Sequence, residues 1–119
     1  MSLQFKAVIT QIGEFAPDAL KEGMLILFNQ SAPDYAAEYC FIHDQGTATG
    51  LITIDSTLMI SDKDYIVTSV GSVASKNLME LGHITIKFDA RLEPEFPGTI
   101  HVNGHCPASI KQGDTIIFG

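Results

Sequence analysis

The sequence has no tryptophan and only two cysteines in 119 residues. Cys40 and Cys106 stand far apart and form no C-x-x-C pair, so neither a disulfide framework nor a paired-cysteine zinc motif is readable. Basic residues are scarce as well: seven Lys and Arg face 14 Asp and Glu, a formal net charge of −7. Such a surface repels a phosphate backbone and no Lys/Arg cluster offers a local exception, so nucleic acid is not an expected partner. A basic face on another protein is, because opposite fields speed encounter. Long apolar runs are missing too: "MLILF" is strand-sized, far below the roughly 20 residues that cross a bilayer, and no membrane insertion is expected. "MSLQFKAVIT" has a lone Lys6 and no apolar h-region, which points away from a secretory signal and toward a reducing cytoplasm. "MSL" itself carries no structural signal.

What is present is a core. Hydrophobic residues make up 45% of the chain and charged ones only 18%, too few for a disordered or solvating segment. With no linker, repeat or low-complexity tract, residues 1–119 read as a single domain. The dominant pattern is strand. "FKAVITQI", "MLILF", "TGLITI", "TLMI", "YIVTSV", "HITIKFD", "GTIHV" and "DTIIF" are short, rich in Val, Ile and Thr, and separated by turn residues. Asp55-Ser56 reads as a tight hairpin turn between "TGLITI" and "TLMI", and "DKD" as a second turn before "YIVTSV". Pro97-Gly98 suits the two central positions of a type II turn. The fold class expected is mainly β, a small antiparallel barrel or sandwich with one or two short helices. "SAPDYAAEY" predicts one helix, with Ser31 as cap and Pro33 in its first turn. "SVASKNLMELG" predicts the other, with Ala74, Leu78 and Leu81 on one face and Gly82 as its stop.

The stretch "EYCFIHDQG" poses the functional question, because an imidazole closes a strongly apolar run. As a strand, residues 39–43 put Tyr39, Phe41 and His43 on one face and Cys40 and Ile42 on the other. Both faces are apolar. Cys40 and Ile42 make no hydrogen-bonding demand and are the natural inward pair, which leaves His43 exposed between aromatic rings at a docking surface. A neutral imidazole is a good nucleophile near pH 7 and its phosphoramidate passes the group onward. Such transfer needs in-line positioning and donors for the equatorial oxygens. Backbone N–H groups of Gly46 and Thr47 are candidates, as is the helix entry at Gly71-Ser72. Against this, a buried and hydrogen-bonded histidine is the commoner role in a β-rich domain, and Asp44 would repel an adjacent dianion. The residues alone leave the two readings open.

Three blocks, "EYCFIH", "VTSVGSVASKNLMELGHITIKFD" and "EFPGTIHV", resemble the glucitol/sorbitol-specific IIA component of the bacterial phosphotransferase system. The resemblance runs from "ITQIG" to "GDTIIF", in the same order and at the same spacing. It implies a cytoplasmic phosphoryl carrier built on a small β barrel, a phosphotransferase that works without cofactor or metal. The histidine closing "YCFIH", here His43, would accept a phosphoryl group at Nε2 from the phosphocarrier protein HPr. It would pass the group to the cognate IIB component, part of a membrane IIB/IIC complex that phosphorylates glucitol/sorbitol on import. Asp44-Gln45 lie outside the matching block and receive no role from it.

The other histidines carry weaker expectations. His83, within the second block, is a candidate to steady a phosphoryl oxygen or the His43 ring, or else a turn histidine at a strand start. His101 is equally ambiguous. His101, His105 and Cys106 invite a zinc reading, but Asn103-Gly104 is a turn signal and the two rings need not converge. Cys40 and Cys106 read as packing thiols. A barrel that binds a sugar or other small ligand without covalent chemistry is the alternative function, though the strands supply few polar inward residues. An exposed Tyr39-Phe41 patch would also permit a homo-oligomer.

Overall fold

The computed structural model describes residues 3–119; Met1 and Ser2, and with them most of "MSL", lie outside the described residues. The elements are, in chain order, β1 (Phe5–Ile12), α1 (Ala16–Lys21), β2 (Met24–Asn29), α2 (Asp34–Ala37), β3 (Phe41–His43) and β4 (Thr47–Ala48). Then follow β5 (Thr57–Ile60), β6 (Lys63–Val70), α3 (Ala74–Leu81), β7 (Ile84–Lys87), β8 (Thr99–Asn103) and β9 (Thr115–Phe118). Eight strands close a barrel in the order β1, β3, β2, β7, β8, β6, β5, β9 and back to β1. The mainly β barrel expected from the strand pattern is the fold. Its pairings are antiparallel except β2–β3 and β7–β8, which run parallel. A period-two pattern reports faces, not strand direction, so those two pairs were invisible in the sequence.

Alternation decides what fills the barrel. Phe5, Ala7 and Ile9 of β1, Leu25 and Leu27 of β2, Ile84 and Ile86 of β7, and Ile100 and Val102 of β8 all point inward and are buried. Ile100 is fully buried while Ile66, on the outer face of β6, is 62% exposed. Ile100→Ala should therefore cost about 2–5 kcal/mol and Ile66→Ala less than about 0.5 kcal/mol, read from urea midpoints at a common slope.

A second, smaller cluster lies outside the barrel wall. Phe28, Cys40 and Ile42 are buried there, with Ala32, Ala36 and Ala37 of the α2 region packed over them. Strand β3 therefore has apolar residues on both faces because both are covered. The helix expected in "SAPDYAAEY" is present as the single turn α2, but Pro33 is its N-cap residue and Ser31 does not cap it; the Ser31 N–H goes instead to Oδ1 of Asn29. Helix α1 carried no periodic signal: six residues are one and a half turns, held by burial of Ala16 and Leu20.

The remaining turns depart from expectation locally. Residues 49–53 form no strand, and the turn that follows is centred on Ile54-Asp55 rather than Asp55-Ser56, closed by Ser56 N–H donating to Thr53 O, and is not a hairpin; the hairpin is β5–β6, closed by Ser61-Asp62. Ser61 there has φ 51°, the left-handed value that a two-residue hairpin loop demands. Pro97 and Gly98 do occupy the centre of a turn in which Thr99 N–H donates to Phe96 O at 3.1 Å. Gly98 does not have the positive φ of a type II turn.

Helix α3 lies against β2 and β7 of the barrel. Ala74 and Leu78 are buried against the barrel, and Gly82 ends the helix in the left-handed region at φ 61°, as a C-terminal glycine should. Leu81, expected on the buried face, is 42% exposed, because the helix meets the barrel over a narrower stripe than the spacing suggested.

Candidate functional site

His43 ends β3 at the seam of the barrel, paired with Ile9 on β1 and with Asn29 on β2. It is fully buried, which corrects the expectation of an exposed ring. Phe41 and His43 are the inward residues of β3; Cys40 and Ile42 belong to the outer cluster. Tyr39 precedes the strand, is half exposed, and stacks on Phe15 at 5.4 Å rather than joining the histidine. Because both faces of the strand are covered, apolarity could not tell inside from outside.

The ring can be buried because both of its nitrogens are satisfied. Nε2 lies 2.8 Å from the carbonyl oxygen of Gly82, and the Gln45 N–H donates to Nδ1 at 3.0 Å. A carbonyl only accepts and an amide N–H only donates, so the pair fixes the tautomer: Nε2 carries the proton and Nδ1 the lone pair. Phe5 meets the ring edge-on at 5.5 Å. Gly82 is required twice over. Its φ is left-handed, and a Cβ there would lie 2.6 Å from Nε2 of His43 and against Cε1 of the same ring and Oε1 of Gln45.

The chain leaves His43 through a break in the edge of β1. Strand β3 pairs with the second half of β1 and β4 with its start, and residues 44–46 bulge between them. Oδ1 of Asp44 accepts the N–H groups of Val8 and Gly46, both at 3.0 Å. The Val8 N–H is the main reason the Asp44 carboxyl is held below its ordinary range. Its charge is thus directed at the backbone. Gln45, at φ 62°, turns its side chain onto α3: the amide nitrogen donates to the carbonyls of Leu78 at 3.0 Å and Met79 at 3.2 Å, and Oε1 accepts from Asn29 Nδ2 at 3.0 Å.

Other expected site residues fall elsewhere. His43 meets the C-terminal end of α3, whereas Gly71-Ser72 lie at its entry, so the structure does not bring them together. The Gly71 N–H already donates to Thr99 O at 2.8 Å. The Gly46 N–H is held by Asp44, and Thr47 pairs with Lys6 in the β1–β4 ladder. His83 follows Gly82 directly but turns to the outer wall: its Nδ1 is 2.9 Å from Leu27 O and its ring stacks on Phe28 at 4.3 Å. His101 is buried, with Nδ1 2.7 Å from Asp89 Oδ1 and Nε2 accepting from the Glu95 N–H at 3.1 Å. His105 is exposed and Cys106 donates to Leu20 O, so these three do not converge. No group of three His, Cys, Asp or Glu with metal-holding geometry occurs among the described residues. Burial pushes the Cys40 thiol up to about 11, as befits a packing residue.

Burial also holds the His43 pKa below its ordinary value, against the opposing pulls of the Gly82 carbonyl and the Asp44 charge. The ring is therefore neutral at neutral pH, the form a nucleophile needs. The same shift makes stability pH-dependent. An unfolded histidine takes up a proton near pH 6.5 and the folded one only lower, so the unfolded state binds more protons in between. The contribution of His43 is complete above about pH 6.5 and is lost as pH falls from there toward the folded value. Urea midpoints should drop between about pH 7 and pH 5, ahead of the carboxylate losses, and this first drop should vanish in His43→Gln.

The sequence model of the family described as "PTS system glucitol/sorbitol-specific IIA component" matches residues 4–117. The chain belongs to this family. Two relatives named "PTS system glucitol/sorbitol-specific EIIA component", from Shigella flexneri and from Escherichia coli (strain K12), are each 45% identical over 118 residues, covering 99% of this chain and 96% of theirs. A PTS system IIA component from Enterococcus faecalis V583, known from its crystal structure, superposes with a TM-score of 0.78 at 29% identity, over 93% of this chain and 96% of that one. Membership carries a phosphotransferase role for this glucitol/sorbitol IIA chain. Among the described residues no helix is long and apolar enough to cross a membrane.

Three participants escaped the sequence reading: Gln45, Asn29 and the Gly82 carbonyl. Gly82 was legible as a helix stop, but nothing in the local pattern announced that its carbonyl would meet a ring 39 positions away.

Proposed function

We propose that His43 is the phosphoryl carrier of this glucitol/sorbitol IIA chain, which works as one cytoplasmic domain. It accepts the group from phosphorylated HPr and delivers it to the cognate IIB component of the membrane IIB/IIC complex. The observation that carries this reading is a neutral imidazole at the end of β3 whose two nitrogens are engaged only by backbone groups of the 44–46 turn and of the turn that ends α3. In the transfer the donor's N–P bond breaks and its electron pair returns to the donor nitrogen. A P–N bond forms from the Nε2 lone pair of His43, and the proton that the neutral His43 ring carried ends on the donor imidazole. Delivery to IIB reverses these roles with a new acceptor. No electron is gained or lost, and the chemistry asks for positioning rather than a cofactor.

Incubation of the purified protein with phosphorylated HPr, followed by intact mass, tests this. The expected product is one acid-labile phosphoryl adduct that maps to His43. An adduct on His83 or His105 instead, or no adduct from a donor shown to be active, would overturn the assignment.

A further inference from the structure

We infer that Gln45 is the positioning residue of this site: it sets the His43 tautomer and latches the ring beneath the last turn of α3, so that transfer through Nε2 waits on release of the latch. The inference rests on the carrier reading for its purpose, but on geometry for its content. Gln45 is a non-glycine residue in the left-handed region, a conformation that costs of order 1 kcal/mol or more and persists only where surroundings enforce it. Here the enforcement is four hydrogen bonds. The backbone N–H goes to His43 Nδ1, both amide hydrogens go to carbonyls in the last turn of α3, and Oε1 is held by Asn29. Gly82, the C-cap of α3, also meets the ring through its carbonyl, but among the described residues Gln45 is the one outside the helix whose hydrogen bonds reach both the ring and the helix end.

The latch has a chemical consequence. With Nδ1 accepting from Gln45 and Nε2 donating to Gly82, the nitrogen expected to attack has no free lone pair and no open face. For Nε2 to act, the Gly82 carbonyl must withdraw and the ring proton must leave Nε2. Its other resting place, Nδ1, is unavailable while the Gln45 N–H points at it. Release of the 44–46 turn and of the α3–β7 turn is therefore one event, because the Gln45 side chain ties them together. Once Nε2 bears phosphorus, Nδ1 again holds a lone pair and accepts the same N–H. The latch thus fits the phosphorylated ring on the Nδ1 side and excludes only the attacking form.

The test uses the full chain with 15N-labelled histidine and needs no phosphoryl donor. In the wild type, imidazole nitrogen spectra should show His43 as a single Nε2–H tautomer. Carbethoxylation by diethyl pyrocarbonate, followed by peptide mass, should modify His43 at least about tenfold more slowly than the exposed His105 in the same molecule. Gln45→Gly keeps the backbone N–H and accepts φ 62° without strain but removes the amide. With the side-chain ties to α3 gone, the turn should release the N–H from Nδ1 part of the time, giving a tautomer mixture and raising the His43 rate about tenfold, with His105 unchanged. Gln45→Glu, which sets a carboxylate against the two carbonyls, should do the same and covers the case in which the glycine variant folds poorly. A wild-type His43 that is mixed in tautomer or as reactive as His105 overturns the inference, as do variants indistinguishable from wild type. The carrier reading fails separately, by a missing phosphoryl adduct, so the two failures are distinguishable.

Discussion

His43→Gln should accept no phosphoryl group at all from phosphorylated HPr, while the wild type accepts one. The effect is complete rather than partial because the amide nitrogen of glutamine, its lone pair delocalised, is not a nucleophile, and neither His83 nor His101 is placed to substitute. The His101 ring is buried with both nitrogens engaged, by Asp89 and by the Glu95 N–H. His83 faces the outer wall against Phe28 and Leu27. Intact mass after incubation with donor, for both proteins in parallel, reads the result directly. A variant that still gains a phosphoryl group would remove His43 from the mechanism. The variant should stay folded. It gives up two backbone contacts and an aromatic edge contact at a fully buried position, for which about 1–3 kcal/mol is expected.

Gly82→Ala should destabilise the fold by adding a methyl that presses directly on the site. An alanine at φ 61° costs about 1–2 kcal/mol for the left-handed conformation alone. Its Cβ would also press on the His43 ring and the Gln45 amide, both held by their own hydrogen bonds, and overpacking of that kind costs about 1–3 kcal/mol. Together the loss should be roughly 2–5 kcal/mol, measured by urea denaturation. Gly23→Ala is the control. Gly23 also has positive φ, 83°, but an added Cβ meets nothing within 4 Å, so only the conformational part should appear. Equal losses at the two positions would mean that the ring yields freely and that the contact is looser than described. The same variant should raise the carbethoxylation rate of His43, since the displaced ring can no longer keep its bond to Gly82.

Physical legibility varied with the range of the interaction that decided each feature. Strands β1 and β6 were readable because alternation along "FKAVITQI" and "YIVTSV" is a local consequence of one buried face. The stop at Gly82 was readable for the same kind of reason: a helix end needs a residue that tolerates φ near +60°. The orientation of His43 was not readable. With apolar residues on both sides of β3, the choice depended on α2 covering one face and on backbone donors and acceptors from residues 45 and 82 reaching the ring. The entry of α3 at Gly71-Ser72 looked suited to phosphate, but which end of a helix meets a strand end is decided by how the helix crosses the barrel.

By itself, the sequence determined the acidic surface, the mainly β class, the family and the histidine to examine, because each of these is written in composition, local period or ordered blocks. Only the tertiary structure decided that the ring is inward, neutral, capped at both nitrogens and tied by Gln45 to the end of α3. Those contacts join residues 33 to 39 positions apart, apart from the one between His43 and Gln45 themselves. Hydrogen bonds across such separations exist only after the barrel has closed and fixed which backbone groups stand within reach.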